Sequence, residues 1–339
     1  MAIRYVLEDT RTFDFAKLDS YADRTVFQTK AWLPFVAATQ GARPVVASLH
    51  DGAEKVGFFT GLVVQKYGLK VLGSPFPGWS TSYMGFNLVP GVARRRALEG
   101  LREFAFKTLG CVHVEVYDRF VTEEDARAGG FDYRLWRGFE IDLRQNEDVL
   151  FNGMHLMRRR GIRKAAQCGV TIEEARDAGF ARDYYAQLED VFAKQSLVPT
   201  YGLGRVEALI KHVLPSGNLL LLRARDRHGR CVATGIFPAF NDRMVFWGGA
   251  SWREHQQLHP NETLIWHAIR HWKARGISFF DMGGSGEYKR KYGGYDIAVP
   301  WVRTSRFGAV SRLRNAAQEL VGLKQRALGA ARRAVGAWN

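Results

Sequence analysis

Between Met244 and Tyr295 the chain reads MVFWGGASWREHQQLHPNETLIWHAIRHWKARGISFFDMGGSGEYKRKYGGY, and few folds accommodate that order of apolar runs, caps and glycines. Met244 to Ala250 has the composition of a buried strand and ends on Gly248-Gly249. Asn261 is placed to cap a helix whose apolar face is Thr263, Leu264, Ile265, Ala268, Ile269 and Trp272, with Gly276 to end it. Ile277 to Met282 reads as a second buried strand, bounded by Gly283-Gly284. A glycine-flanked cationic and aromatic loop follows, from Gly286 to Gly294. Strand, helix, strand and a basic loop at the strand's carboxyl end predict an α/β sheet with positive charge where ligands bind.

The remaining length calls for more than this unit. The 339 residues exceed one average domain, so two globular units and an extension are expected. A hydrophobic fraction of 46% supplies the cores, which excludes a disordered chain. No apolar run reaches the ~20 residues that span a bilayer. The opening MAIRYVLEDTRTF has no basic-then-apolar pattern, so no export signal is expected there. Cys111, Cys168 and Cys231 follow no metal-ligand spacing and predict reduced thiols of a cytoplasmic protein. The net charge of +15 points to polyanionic partners: nucleic acid, an anionic membrane surface or phosphate-bearing substrates. It is concentrated in Arg158, Arg159, Arg160, Arg163 and Lys164, in Lys289, Arg290 and Lys291, and in the tail.

Taken in order, Phe27 to Leu33 opens a helix that ends near Gly41. Strands are expected at Val45–Leu49 and Lys55–Val64, joined by an Asp51-Gly52 turn, and at Tyr67–Leu72. Gly73 to Gly85 is too rich in Pro and Gly for regular structure, and its Trp79, Ser80 and Tyr83 suit ligand contact or plain packing alike. A helix over Arg94–Leu109 and strands at Cys111–Tyr117 and Phe139–Leu143 close a first α/β unit at 142. The second unit, 143–307, opens with a helix running from Val149 through the basic cluster to Gly169. A strand at Val170–Glu174, helices at Phe180–Gln195 and Gly204–Leu214, and strands at Leu219–Ala224 and Val232–Phe240 precede Met244. A last strand is Val299–Val302. This order echoes the first unit, as in a duplicated fold. Residues 308–339 place Val310, Leu313, Ala317, Leu320, Val321 and Leu328 on one helical face and arginines opposite, a basic amphipathic helix that suits an anionic membrane, a partner or its own domain.

Three stretches resemble the FemAB-like acyltransferases, a branch of the GNAT superfamily that includes peptidoglycan bridge-forming aminoacyltransferases and exopolysaccharide-associated relatives. Phe27-Gln28 to Trp32 resembles the family's Phe-Gln-x-x-x-Trp start. Arg158 to Ala165 resembles the basic helix opening its second half. Phe280-Asp281-Met282-Gly283-Gly284 with Tyr288-Lys289-Arg290-Lys291-Tyr292-Gly293 resembles its Asp-x-Gly-Gly strand end and aromatic-Lys-x-x-aromatic-Gly loop. The resemblance implies two tandem GNAT-like domains, each a mixed β-sheet flanked by helices, and transfer of an acyl or aminoacyl group to an amine. No bound cofactor is implied; the donor is acyl-CoA or aminoacyl-tRNA. The acceptor is a small-molecule or lipid-linked saccharide or peptide of cell-envelope or polysaccharide biosynthesis. The place implied is the cytoplasm, at the membrane's inner face if residues 308–339 bind anionic lipid.

The chain departs from the family at two points. The glycine-rich turn by which CoA-using members cradle pyrophosphate is replaced by Ser251 to Asn261, which carries no glycine and favours the relatives that use aminoacyl-tRNA. The lysine that follows the tryptophan in the bridge-forming enzymes is replaced by Pro34-Phe35-Val36-Ala37, which sets a saccharide or lipid-linked envelope precursor on a par with a UDP-linked muropeptide as the expected acceptor.

Amine acylation develops a tetrahedral oxyanion, so positive charge and a proton route are needed. Lys289 is the candidate for the charge, contacting either the oxyanion or the donor's phosphates; Asp281 is a candidate proton acceptor or alternatively bonds loop amides, and Tyr288 is the third catalytic candidate. Trp79, Ser80, Tyr83, Trp247, Arg290 and Tyr292 are candidate substrate contacts. Arg158, Arg159, Arg163, Lys164 and Lys291 are candidate phosphate contacts. The competing reading of the loop is a solvated turn. His267 and His271, one helical turn apart, share a face, but the sequence places no acidic ligand with them, so packing is preferred and no metal is expected. No nucleophile elbow or Cys/His pair points to a covalent intermediate. The rival class is a non-catalytic FemAB-like protein that holds RNA or anionic membrane at a polysaccharide assembly site.

Overall fold

A computed structural model of the chain describes residues 3–66, 68–78, 80–194, 197–284, 286–310 and 314. Contacts divide it into two units, one built from the chain up to Arg137 and again from Ile297, the other from Gly138–Asp296. The expectation of 142 and 307 as boundaries differs from this mainly in the last strand, whose residues from Ile297 belong with the first unit. Among the described residues no helix is long and apolar enough to cross a membrane.

The first unit carries β1 (Arg4–Leu7), α1 (Trp32–Gln40), β2 (Arg43–Asp51), β3 (Glu54–Lys66), β4 (Leu69–Ser74), β5 (Gly85–Leu88), α2 (Arg94–Glu103), β6 (His113–Tyr117) and α3 (Glu123–Ala128). Its strands pair in the order β1-β2-β3-β4-β6, with β5 also on β3 and β6 continued by the last strand. The β2–β3 hairpin closes at Asp51↔Glu54 over Gly52, whose φ of 61° suits glycine. α1 ends on Gly41 in the left-handed conformation, as the sequence indicates. Phe27 and Trp32 are fully buried and meet edge to face at 4.7 Å. Gln28 accepts from the Thr25 amide at 2.9 Å, so the Phe-Gln-x-x-x-Trp stretch fixes the chain's approach to α1. α2 covers a core that includes Phe59, Leu72, Phe86, Leu98, Leu101, Phe104, Val114 and Val116.

β7 (Asp132–Asp142) carries the chain into the second unit, followed by α4 (Glu147–Gly153), α5 (Leu156–Gln167), β8 (Thr171–Glu174), α6 (Gly179–Lys194) and α7 (Leu203–Val213). Then come β9 (Leu219–Arg225), β10 (Cys231–Phe240), β11 (Arg243–Val245), β12 (Gly248–Ser251), α8 (Pro260–Lys273), β13 (Phe279–Asp281) and α9 (Glu287–Arg290), before β14 (Tyr295–Ser305) leads back. The sheet order is β7-β13-β11-β10-β9-β8, with β12 also on β10. β11 and β13 run parallel, as a strand–helix–strand crossover through α8 requires. α8, with α5 against it, packs on β9 and β10, and α6, with α7 against it, lies against β10 and β12. Leu264, Ile265, Ala268, Ile269 and Trp272 of α8 enter a core with Phe139, Leu222, Phe237, Met244 and Phe280.

Three local expectations need correction. The single helix from Val149 to Gly169 is broken at Met154-His155 into α4 and α5, where Met154 turns extended and the His155 ring caps the Met157 amide. Asn261 does not cap α8: His259, left-handed at φ 54°, is the cap residue and Pro260 takes the first helical position. The run from Met244 to Ala250 is two strands rather than one, because the ladder slips at Phe246 and Trp247. The Phe246 amide donates to Asp281 O at 2.9 Å, and the Trp247 amide to Ile236 O at 3.1 Å. Of the tail helix expected over 308–339, Gly308–Val310 and Arg314 are helical; the rest lies outside the described residues.

Candidate functional site

The slip at Phe246 defines the site. Up to Val245↔Asp281 the strands β11 and β13 are bonded to each other. Beyond that point β12 follows β10, with Ile236↔Gly248 through Ala233↔Ser251 in register, while β13 ends and Gly283 and Gly284 turn away at φ 62° and 31°. Among the described residues β12 pairs with β10 alone. The Trp252 amide bonds Val232 O at 3.2 Å, so antiparallel alternation directs the backbone groups of Gly249 and Ser251 away from β10. Two glycines make the slip possible. A Cβ on Gly248 would meet the Tyr184 hydroxyl at 2.3 Å, and one on Gly249 the Phe246 ring at 2.8 Å.

The loop after β13 folds back to this point. Asp281, 1% exposed, accepts from the Gly283 amide at 2.6 Å, and the Lys289 ammonium donates to Gly283 O at 2.8 Å. Lys289 lies 5.7 Å from the Phe246 ring centroid and 5.8 Å from that of Tyr288. Burial lowers its pKa from the ordinary lysine value, and the Asp281 carboxylate opposes that shift. The structure therefore brings Lys289, Asp281 and Tyr288 together at the point where β12 and β13 part. Tyr288 is 47% exposed. The loop's return is packed tightly: the His155 amide bonds Lys291 O at 2.9 Å, and a Cβ on Gly293 would stand 3.0 Å from Gly153 O.

Other expected residues serve differently. The Arg290 guanidinium is engaged by both carboxylate oxygens of Asp296 at 2.7 and 2.9 Å and lies over the Phe139 ring. Tyr292 is in the core, with the Arg158 guanidinium 5.1 Å from its ring centroid; burial, first, raises its hydroxyl pKa. Arg158 also pairs with Glu262. Arg159 bonds Asn152 at 3.3 Å, and Arg163 lies over Phe151. Lys164 and Lys291 are exposed. In the first unit, Tyr83 is 3% exposed and packs on Tyr117, while Ser80 takes a positive φ of 56°. Trp79 lies outside the described residues.

Trp247 sits in a group the sequence reading missed. Its ring centroid is 5.5 Å from that of Tyr201 and 6.5 Å from that of Tyr184, and the two tyrosine hydroxyls are 2.8 Å apart. Arg205 covers Tyr201 at 5.2 Å. The spacing of these residues along the chain carries no signal; only their meeting beside the start of β12 does. A second missed partner is Glu174 of β8, which bonds both His267 and His271. An acidic residue is thus placed with the two histidines after all.

Residues 157–291 match the family described as the acetyltransferase (GNAT) domain. The match falls within the second unit, which is similar in sequence to GNAT acetyltransferase domains over that stretch. FemX resembles the chain with a TM-score of 0.71 at 12% identity, covering 89% of this chain and 97% of that one. L-PGS from Bacillus licheniformis gives 0.55 at 11%, over 91% and 97%. A tandem GNAT protein from the clavulanic acid biosynthesis pathway gives 0.50 at 10%, over 90% and 98%. Identities of this size carry the fold: mixed α/β, of the kind found in FemX and in tandem GNAT proteins. No curated protein matches the chain in sequence. The GNAT-superfamily resemblance read from the motifs is supported by the family match over residues 157–291, which points to an acyltransferase, and the likeness to FemX supports it at the level of the fold.

Proposed function

We propose that the chain transfers an acyl or aminoacyl group from acyl-CoA or aminoacyl-tRNA to an amine of a cell-envelope or exopolysaccharide precursor, at the parting of β12 and β13. The observation that carries this reading is the slip at Phe246. It leaves the Gly249 and Ser251 backbone groups of β12 without a strand partner among the described residues and sets Lys289 beside the gap. A free strand edge takes an extended, amide-bearing chain by main-chain hydrogen bonds.

The neutral acceptor amine attacks the donor carbonyl, and the carbonyl electrons move onto oxygen. Lys289 holds that oxyanion, while Asp281 opposes by its charge the loss of the Lys289 proton and by its bond to the Gly283 amide holds the turn in place. Collapse breaks the bond to the CoA thiolate or the tRNA ribose oxygen. The proton lost by the amine balances the charge on that leaving group. The exposed Arg163, Lys164 and Lys291 are candidate contacts for the donor's phosphates. The envelope acceptor is supported by the likeness to FemX and to L-PGS; the basic tail supports binding to RNA or an anionic surface.

Thermal unfolding of the chain with acetyl-CoA, longer acyl-CoAs, and charged or uncharged tRNA, at low and moderate salt, tests the reading. Stabilisation by a CoA compound that survives moderate salt identifies a CoA donor, and a shift specific to charged tRNA an aminoacyl donor. With the donor so found, Lys289→Met, which keeps the packing on Phe246, is expected to lower transfer by roughly 10²-fold or more while leaving the fold intact. No shift with any donor, together with binding of vesicles or tRNA that residues 308–339 alone account for, favours a binding protein and overturns the proposal.

A further inference from the structure

Away from the loop, on the second half of α8, His267 and His271 face β8. The Glu174 carboxylate reaches between them. One of its oxygens, Oε1, lies 3.0 Å from His267 Nε2 and 2.6 Å from His271 Nδ1. The three potential ligand atoms are all within 4.8 Å of one another. The two histidines are four residues apart on one helix, the spacing that stacks side chains on one face, and the acid comes from a different element. Such a set is assembled by the fold and is not a stretch of like charges.

We propose that Glu174, His267 and His271 form a binding site for a divalent transition metal of the zinc class, which ties β8 to α8. Two imidazoles and one carboxylate suit zinc, cobalt or nickel; they are poor ligands for calcium or magnesium, which take oxygen. Bonds of roughly 2.0–2.2 Å in a tetrahedron set ligand atoms roughly 3.4 Å apart. The spacing here reaches that with small rotations of side chains that are about one third exposed for Glu174 and His267. His271 is held more firmly. Its side chain is 10% exposed and its ring meets Trp272 edge on at 5.1 Å. Arg275, whose charge reaches His271, is the neighbouring cation that a metal must tolerate. Solvent supplies the fourth ligand.

The metal's role is structural. His271 lies nine residues beyond Glu262 on α8, roughly 14 Å along the axis, and Glu262 is the residue that pairs with Arg158. Zinc at this site braces the helix that supports the basic segment and takes no part in acyl transfer.

The full chain, freed of metal by a chelator that is then removed, is titrated with zinc chloride and, separately, magnesium chloride. Thermal unfolding and calorimetry are read for the wild type, Glu174→Gln and His267→Ala. The expected result is one zinc per chain, a rise in Tm with zinc and none with magnesium, and zinc affinity weakened at least about tenfold in each variant. Glu174→Gln keeps the shape of the side chain, so its metal-free Tm reports whether the fold is intact. A wild type that takes up no zinc overturns the proposal. So does zinc binding that both variants retain unchanged, which places the ion elsewhere, as on Cys168 or Cys231.

Discussion

Lys289 and His113 show how burial sets charge in this protein. Lys289 loses solvation but keeps two electrostatic supports, Gly283 O and the Asp281 carboxylate. His113 has a weaker one, the buried Glu115 carboxylate 4.0 Å from its Nε2, and two cations nearby. Its Nδ1 stands 2.6 Å from the Ser305 hydroxyl, and burial, reinforced by Arg314 and Arg303, drives its pKa from 6.5 down to about 3. The unfolded chain therefore binds this proton first as pH falls. The stability contributed by the neutral ring is whole above pH 6.5 and is lost on descent toward the folded value. We expect urea unfolding midpoints of the wild type to fall more steeply between about pH 6.5 and pH 5 than those of His113→Gln. Parallel slopes would show that His113 is solvated.

At the scale of elements, the slip between β11 and β12 rests on a close approach that substitution can expose. Gly248→Ala sets a methyl group 2.3 Å from the Tyr184 hydroxyl, an overlap that costs about 1–3 kcal/mol by overpacking. Tyr184→Phe removes the oxygen it strikes, leaving ring carbon at 3.3 Å. Urea titration of the two single variants and the double should give a double variant more stable than additivity predicts, by at least about 0.5 kcal/mol. Additive losses would mean that the strand, and not the tyrosine, resists the methyl group.

The same elements show what the sequence discloses. The buried face of α8 is legible because Leu264, Ile265, Ala268, Ile269 and Trp272 repeat at helical spacing, and the β2–β3 hairpin because Asp51-Gly52 marks its turn. The slip is not legible: Met244 to Ala250 is continuously apolar, and only the partners of Phe246 and Trp247, residues Asp281 and Ile236, break it. β1 and β5, four residues each, are too short for a period to register. Lys289, Asp281 and Tyr288 are close in sequence, so local motif reading places them together. Tyr184 with Trp247, and Glu174 with His267, come together only through sheet pairing and helix packing.

For the molecule as a whole, each unit has its own core, and the GNAT domain match falls within the second. The net charge of +15 gives the chain a general attraction for polyanions, which is screened by salt. Attraction of that kind spreads over basic surface, whereas a donor in a reacting site protects a defined stretch of backbone. Hydrogen exchange of the full chain with and without its donor, at moderate salt, separates the two directly. Our account predicts protection concentrated at Phe246–Trp252 and Gly283–Lys291, where β12 and β13 part. Protection confined to residues 308–339 or to the first unit, with those two stretches unchanged, would contradict it.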